Sequence, residues 1–221
     1  MKNSYKWLIS YLEPVGESIL QIFSYQDIFG NAKAIVILEN NAQDKLLELS
    51  SLGKYTRNKD IAIPLIVTRN FVTQSLDSYP LEFIDITSSV GDNIVLNEDL
   101  LATLSFDRND VRLQMEREFK SKWLHTQQLF FEGKQKPKEL SRLLRFSISS
   151  LVPALKGFFF LSSQPYPQDI NSFFEHAALI SNADLGVFSS WQNNKEAELA
   201  DITRYLRILQ KLSDIMEDYP I

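Results

Sequence analysis

Residues Asp107 to Gly133, DRNDVRLQMEREFKSKWLHTQQLFFEG, constrain the fold more than any other stretch. Val111, Met115, Phe119 and Trp123 recur every fourth residue, with Leu124 and Phe131 beside them, the spacing of one apolar helix stripe. Asp107 stands where an N-cap acceptor is needed, and Asp110 follows three residues on as a weak capping-box-like partner. Glu116 to Lys120 and Glu118 to Lys122 are i,i+4 pairs in the favourable order, each worth ~0.2–0.5 kcal/mol. A helix of roughly six to seven turns is long for a globular protein and needs several neighbours. Before it the chain alternates short strands and helices; after it every periodic stretch is helical.

Those neighbours are legible downstream. Pro137 to Leu161 carries Leu140, Leu143, Leu144, Ile148, Leu151, Val152 and Leu155 at helical spacing, and Pro153 predicts a kink or a split. Ser162 to Pro167 reads as a loop, Asp169 to Ser181 as a third helix, and Leu185 to Trp191 as a short one. Asn193-Asn194 is read as the opening of the last helix, whose stripe is Leu199, Ile202, Leu206, Leu209 and Met216, with Tyr205, Leu212 and Tyr219. Four or five antiparallel helices around one core is the simplest arrangement.

Upstream, Tyr5 to Leu12 is a modest amphipathic helix stopped by Pro14. Ser18 to Tyr25 is a first strand. Ala34 to Leu38 is a continuous apolar run of the kind that is covered on both faces. Gln43 to Tyr55 reads as helix, with Gly53 as its stop. Ala62 to Thr68 is a third strand, and Pro64 requires an edge position or a late start because it cannot donate to a ladder. Thr68 caps a short helix, Arg69 to Leu76, with Phe71, Val72 and Leu76 on its apolar side. Pro80 to Ile86 fits strand alternation or a proline-initiated helix, and helix is preferred. A turn at Val90 to Asn93 and a strand Ile94 to Leu96 complete this half. The expectation is an α+β chain: a small mixed sheet with packed helices over residues 1–104, then an all-α bundle over 105–221.

Composition narrows the function. The formal charge is −5, so no broad nucleic-acid surface is expected. The chain has no cysteine, which removes disulfides, thiolate metal sites and a cysteine nucleophile together. The first residues, MKNSYKWLISYLEPVGES, interrupt their apolar positions with charge and hold no signal-peptide core. No uninterrupted apolar run reaches the ~20 residues of a membrane span. A cytoplasmic protein without a membrane partner is the expectation.

The local series Ser75-Leu-Asp-Ser-Tyr-Pro-Leu-Glu-Phe-Ile-Asp-Ile86, then Ile94-Val-Leu96, then Val111-Arg-Leu-Gln-Met-Glu-Arg-Glu-Phe-Lys-Ser-Lys122, resembles the nucleotidyltransferase superfamily. The likeness is to its minimal and kanamycin-nucleotidyltransferase-like branch, as a degenerate bacterial member. That resemblance implies a Gly-Ser turn after the first strand, whose backbone donors hold a triphosphate. It also implies two carboxylates one residue apart leading the second strand, with a third from a later strand, holding two divalent metals for in-line nucleotidyl transfer. This chain departs from the pattern. The turn reads Phe23-Ser-Tyr-Gln-Asp-Ile-Phe-Gly30, without Gly-Ser, and the expected carboxylate pair falls on Asn31-Ala-Lys33. A lysine ammonium there adds positive charge where two negative groups are required. The resemblance therefore implies a catalytically inactive protein, one that binds a nucleotide-like ligand or a protein partner and needs no cofactor.

Other roles stay open at this point. Asp27, Glu39 and Asp85 are the carboxylates that an active enzyme would need, holding magnesium, if the metal site has been displaced. Lys33 is a candidate for a nucleotide phosphate, or an ordinary solvated lysine at a strand end. Glu82 and Asp85, three apart, would share a helix face and could act as an acid–base pair. Arg112, Glu116 and Lys120 could line a ligand groove turned toward the α/β half, or form a solvated ladder. The basic run Lys134 to Lys138, with Arg142 and Arg145 beyond it, is the best polyanion candidate, or a solubilising turn. Ribonuclease partners of these transferases pair an arginine with a histidine shortly after it on a late helix; neither His125 nor His176 fits. A third possibility is a scaffold that self-associates through exposed apolar residues of the last helix.

Overall fold

The computed structural model describes residues 8–40, 48–59, 62–193 and 196–220. The expected helix at Gln43 to Tyr55 lies partly outside the described residues, as do Tyr5 to Trp7 and Asn194. The chain is α+β, with a small mixed sheet in its first half and helices after it. It divides into two compact units: residues 1–76 with 86–105, and residues 77–85 with 106–221.

In the sheet unit, α1 (Leu8–Tyr11) runs into a 3-10 turn at Glu13–Ser18. Strands β1 (Ile19–Gln26) and β2 (Ala32–Leu38) form an antiparallel hairpin, with Tyr25 opposite Lys33 and Ile22 opposite Val36. The register slips between Ile19 and Gln21, where the apolar alternation of β1 is broken by one extra residue. After α2 (Leu52–Lys59), strand β3 (Leu65–Thr68) pairs parallel with β2. The short helix α3 (Arg69–Gln74) follows; α4 (Pro80–Thr87) falls mostly in the helical unit, and β4 (Gly91–Val95) returns to pair antiparallel with β1.

The strand order is β3-β2-β1-β4. That places β3 at an edge, and it starts after Pro64, so both of the options that proline allowed are realised. Central β2 buries Ile35, Val36 and Ile37 completely, as a continuous apolar run must. One sheet face carries Ile22, Ala34, Val36 and Leu38, packed under Leu8, Leu12, Val15 and Leu52. Thr68 caps α3 by accepting from the Phe71 N–H at 3.1 Å. Three local readings are corrected. Gly53 sits in the first turn of α2 rather than stopping a helix. The stretch Gly91 to Asn93 is strand rather than turn, because Gly91 lacks the side chain that would strike the Ser24 carbonyl of β1. Phe71, expected on the apolar side of α3, is exposed.

In the helical unit, α5 (Arg108–Glu132) is capped by Asp107, whose carboxylate accepts from the N–H groups of Asn109 (2.8 Å) and Asp110 (3.2 Å). Asp110 contributes that N–H rather than a reciprocal side-chain bond. Burial, aided by nearby Asp107 and Asp77, pushes its carboxyl up. α5 packs on α6 (Pro137–Leu161) and on α9 (Leu199–Glu217), while α6 also carries α7 (Ile170–Ser181) and α8 (Val187–Gln192).

α6 continues through Pro153 without splitting, because its residues on both sides of the proline are buried in the bundle. By length and hydropathy α6 is the kind of helix that can cross a membrane, but most of its apolar window is buried inside the protein, as in a core helix. α9 starts at Leu199, later than Asn193-Asn194, where Glu198 and Asp201 form a reciprocal capping box. Its stripe is buried at Ile202, Tyr205, Ile208, Leu209, Leu212 and Met216, and Leu199 is exposed.

A file of rings fills this core: Phe158 stacks on Phe119, and Phe159, Phe173, Phe174, Phe188, Trp191 and Tyr205 follow in edge and stacked contacts. Its polar ends are satisfied. The Tyr205 hydroxyl meets Ser147 Oγ at 2.8 Å, and Ser147 meets Thr126 Oγ1 at 3.1 Å. Trp191 donates to Asp201 at 3.1 Å.

Candidate functional site

The turn joining β1 and β2 is where the resemblance places triphosphate chemistry. Here it is a tight hairpin turn from Asp27 to Asn31, closed on itself. Asp27 Oδ1 accepts from the N–H groups of Phe29 (3.0 Å) and Asn31 (2.9 Å), and Gly30 donates to the Asp27 carbonyl at 2.8 Å. Gly30 takes φ 81°, a value that glycine reaches without strain. Three backbone donors that would face a phosphate are thus already used. The second oxygen of Asp27 is held by Lys33 Nζ at 3.2 Å and by the Asn31 amide at 3.1 Å. Lys33 and Asp27 therefore neutralise one another, with Asn31 completing the turn.

Glu39 follows the far end of β2. Arg69 holds it through Nε (3.0 and 3.2 Å) and Nη2 (2.9 Å), and the same guanidinium pairs with Glu98. The hydrogen bond from Arg69 holds the Glu98 carboxyl below its ordinary range. Asp27 and Glu39 flank β2 at opposite ends, and a strand of that length spans ~20 Å or more. One pair of ions with ~2.0–2.1 Å bonds cannot be shared across that distance. The displaced magnesium site built on Asp27 and Glu39 is geometrically excluded.

Asp85 and Glu82 lie on α4 in the helical unit, and each has its own partner. Asp85 is paired with Lys156 of α6, Oδ1 to Nζ at 2.8 Å, with both side chains about nine-tenths buried. Lys156 also donates to the Asp85 carbonyl at 3.2 Å. Glu82 accepts from Gln114 Nε2 at 2.8 Å, while Gln114 Oε1 accepts from the Leu81 N–H at 2.8 Å. Each of the two carboxyls is thus engaged by a separate side chain. Among the described residues no three His, Asp or Glu side chains converge as a metal site.

The structure does bring together Arg112, Glu116 and Lys120. Glu116 receives Arg112 at 3.0 Å and Lys120 at 2.5 Å. Lys120 and then Arg112 hold its carboxyl below the ordinary range. Arg112 also donates to the Met216 carbonyl at 2.6 Å, and Lys120 lies 3.9 Å from Glu217. The ladder therefore reaches the C-terminal end of α9. There Arg112 adds a side-chain donor to a carbonyl of the last turn.

Sequence reasoning missed the polar groups that tie elements together. Gln21, buried in β1, donates to Asn93 (2.8 Å) and Asp99 (2.6 Å) and accepts from the Leu101 N–H (3.1 Å). A glutamine inside an otherwise apolar strand was the available signal. It missed the exposed apolar face too. Leu124 and Phe131 were placed on the buried stripe of α5, yet they are 54% and 70% exposed. The C-terminal half of α5 and the start of α6 enclose an apolar hollow of about 500 Å³, lined by residues including Leu129, Phe130, Leu143 and Phe146. A second hollow of about 220 Å³ shares Leu129, Glu132, Leu143 and Phe146 with it.

Comparison with family models, with curated proteins and with solved structures finds no match to this chain.

Proposed function

We propose that this chain is a non-catalytic protein that acts by binding a protein partner, on a plan similar to the nucleotidyltransferases but without their metal chemistry. One observation carries the reading. Every group that the resemblance would assign to chemistry is spent on internal structure. Asp27 and Lys33 close a turn, Glu39 is held by Arg69, and Asp85 is held by buried Lys156. The large accessible hollow is instead apolar, between α5 and α6. Exposed apolar patches of that kind mark protein or membrane interaction sites and ligand grooves.

An active enzyme with displaced carboxylates would need Asp27 and Glu39 side by side, and β2 holds them apart. Self-association through the last helix would need its apolar stripe at the surface, and apart from exposed Leu199 and half-buried Leu206 and Tyr219 that stripe is buried in the bundle. Calorimetry with ATP, GTP, CTP and UTP, with and without magnesium, tests the reading: no nucleotide-dependent heat is expected. Metal-independent uptake of a nucleotide would assign a small-molecule ligand instead.

A further inference from the structure

We propose that the groove between α5 and α6 receives an acidic amphipathic helix of a protein partner. The proposal rests on the protein-binding reading and adds to it a site and a partner chemistry. The two hollows share one wall, Leu129, Glu132, Leu143 and Phe146, and run along a helical hairpin, so the mainly apolar surface is elongated. Phe146 is 69% exposed and Leu129 about half exposed. An elongated apolar groove between two helices suits a third helix that presents anchors at i, i+3, i+4 and i+7.

Charge selects the partner. Residues 118–145 hold seven Lys or Arg against three Glu, a net of +4, in a chain whose net charge is −5, so all the rest stands at −9. Lys134, Lys136, Lys138 and Arg142 are exposed at this end of the hairpin, and none has an ion-pair partner among the described residues. Glu132 and Glu139 line the hollow beside Arg142, but the exposed lysines of the adjoining loop outnumber them and leave this end of the hairpin net basic, which recruits an anionic partner and disfavours cationic ones. The same charge opposes a symmetric pairing of two copies through this face, since it would set like charges together. Concavity favours a helix over a lipid surface, which requires a projecting apolar element.

The test is fluorescence anisotropy on the full chain. One labelled synthetic helix carries Leu and Phe at that spacing flanked by Glu; its counterpart carries Lys in place of Glu. The Glu-flanked helix is expected to bind at least tenfold tighter, with affinity falling as salt is raised. Phe146→Ala or Leu129→Ala should weaken it about tenfold, and the double change Lys134→Glu, Lys138→Glu should abolish the preference between the two helices. Circular dichroism keeps the readout clean, since these exposed positions leave the fold intact.

Equal affinity for both helices, binding of neither, or binding indifferent to Phe146→Ala would overturn the proposal. Co-sedimentation with phosphatidylserine vesicles in place of peptide binding would reassign the face to a membrane surface. A dimer broken by Phe146→Ala would reassign it to a second copy. Peptide failure alone leaves the non-catalytic reading intact, whereas magnesium-dependent nucleotide turnover removes that reading whatever the peptides do.

Discussion

Lys156 sits in the most apolar stretch of the chain, between Leu155 and Gly157-Phe158-Phe159-Phe160. It is 5% exposed and faces Asp85. A buried pair is weak evidence for stability, but removing one member strands a charge in a poor solvent for it. Lys156→Ala is expected to cost about 3–5 kcal/mol, read as a fall in the urea midpoint, whereas Lys156→Met with Asp85→Leu should recover most of that loss. Equal losses in both proteins would contradict the pairing.

Glu116 makes a pH prediction. Its folded carboxyl titrates below its unfolded value because Lys120 and Arg112 favour the charged form. Stability from this group is therefore present above the ordinary glutamate range and is lost as pH falls through the folded value. Urea midpoints measured from neutral pH down through that range should fall less steeply for Glu116→Gln than for the native chain. A parallel decline would count against the ladder's contribution.

Among the elements, the long helix α5 was legible because period and cap agree: Val111, Met115 and Phe119 are fully buried and Asp107 caps. The period failed at its C-terminal half. Leu124 and Phe131 match the helical pattern yet are exposed, and no local signal tells a buried apolar face from an offered one. Strand β4 shows the opposite failure. Glycine and asparagine announce a turn at Gly91 to Asn93, yet pairing with β1 overrides that local preference. An added Cβ at Gly91 would strike the Ser24 carbonyl and approach Phe23 Cζ and Tyr25 Cβ at 2.9 Å. Gly91→Ala should therefore lower the thermal midpoint and speed amide exchange across β1 and β4; unchanged exchange there would show that the sheet tolerates the methyl group.

For the whole molecule, the alternation of strands and helices followed by helices alone was readable from periodicity, and the α+β architecture follows it. The candidate site was readable only as residue types. Asp27, Lys33, Glu39 and Asp85 carry the right charges, but sequence spacing does not reveal that a hairpin turn consumes two of them and that Arg69 and Lys156 hold the others. Partners brought in from distant sequence decide whether a carboxylate is free to do chemistry.

The role proposed for this chain is binding without nucleotidyl transfer. It is tested by titrating each nucleoside triphosphate with magnesium while following pyrophosphate release. Neither tight binding nor pyrophosphate is expected, for the native chain and for an Asp27→Asn, Glu39→Gln double variant alike. Magnesium-dependent tight binding with pyrophosphate release would contradict it.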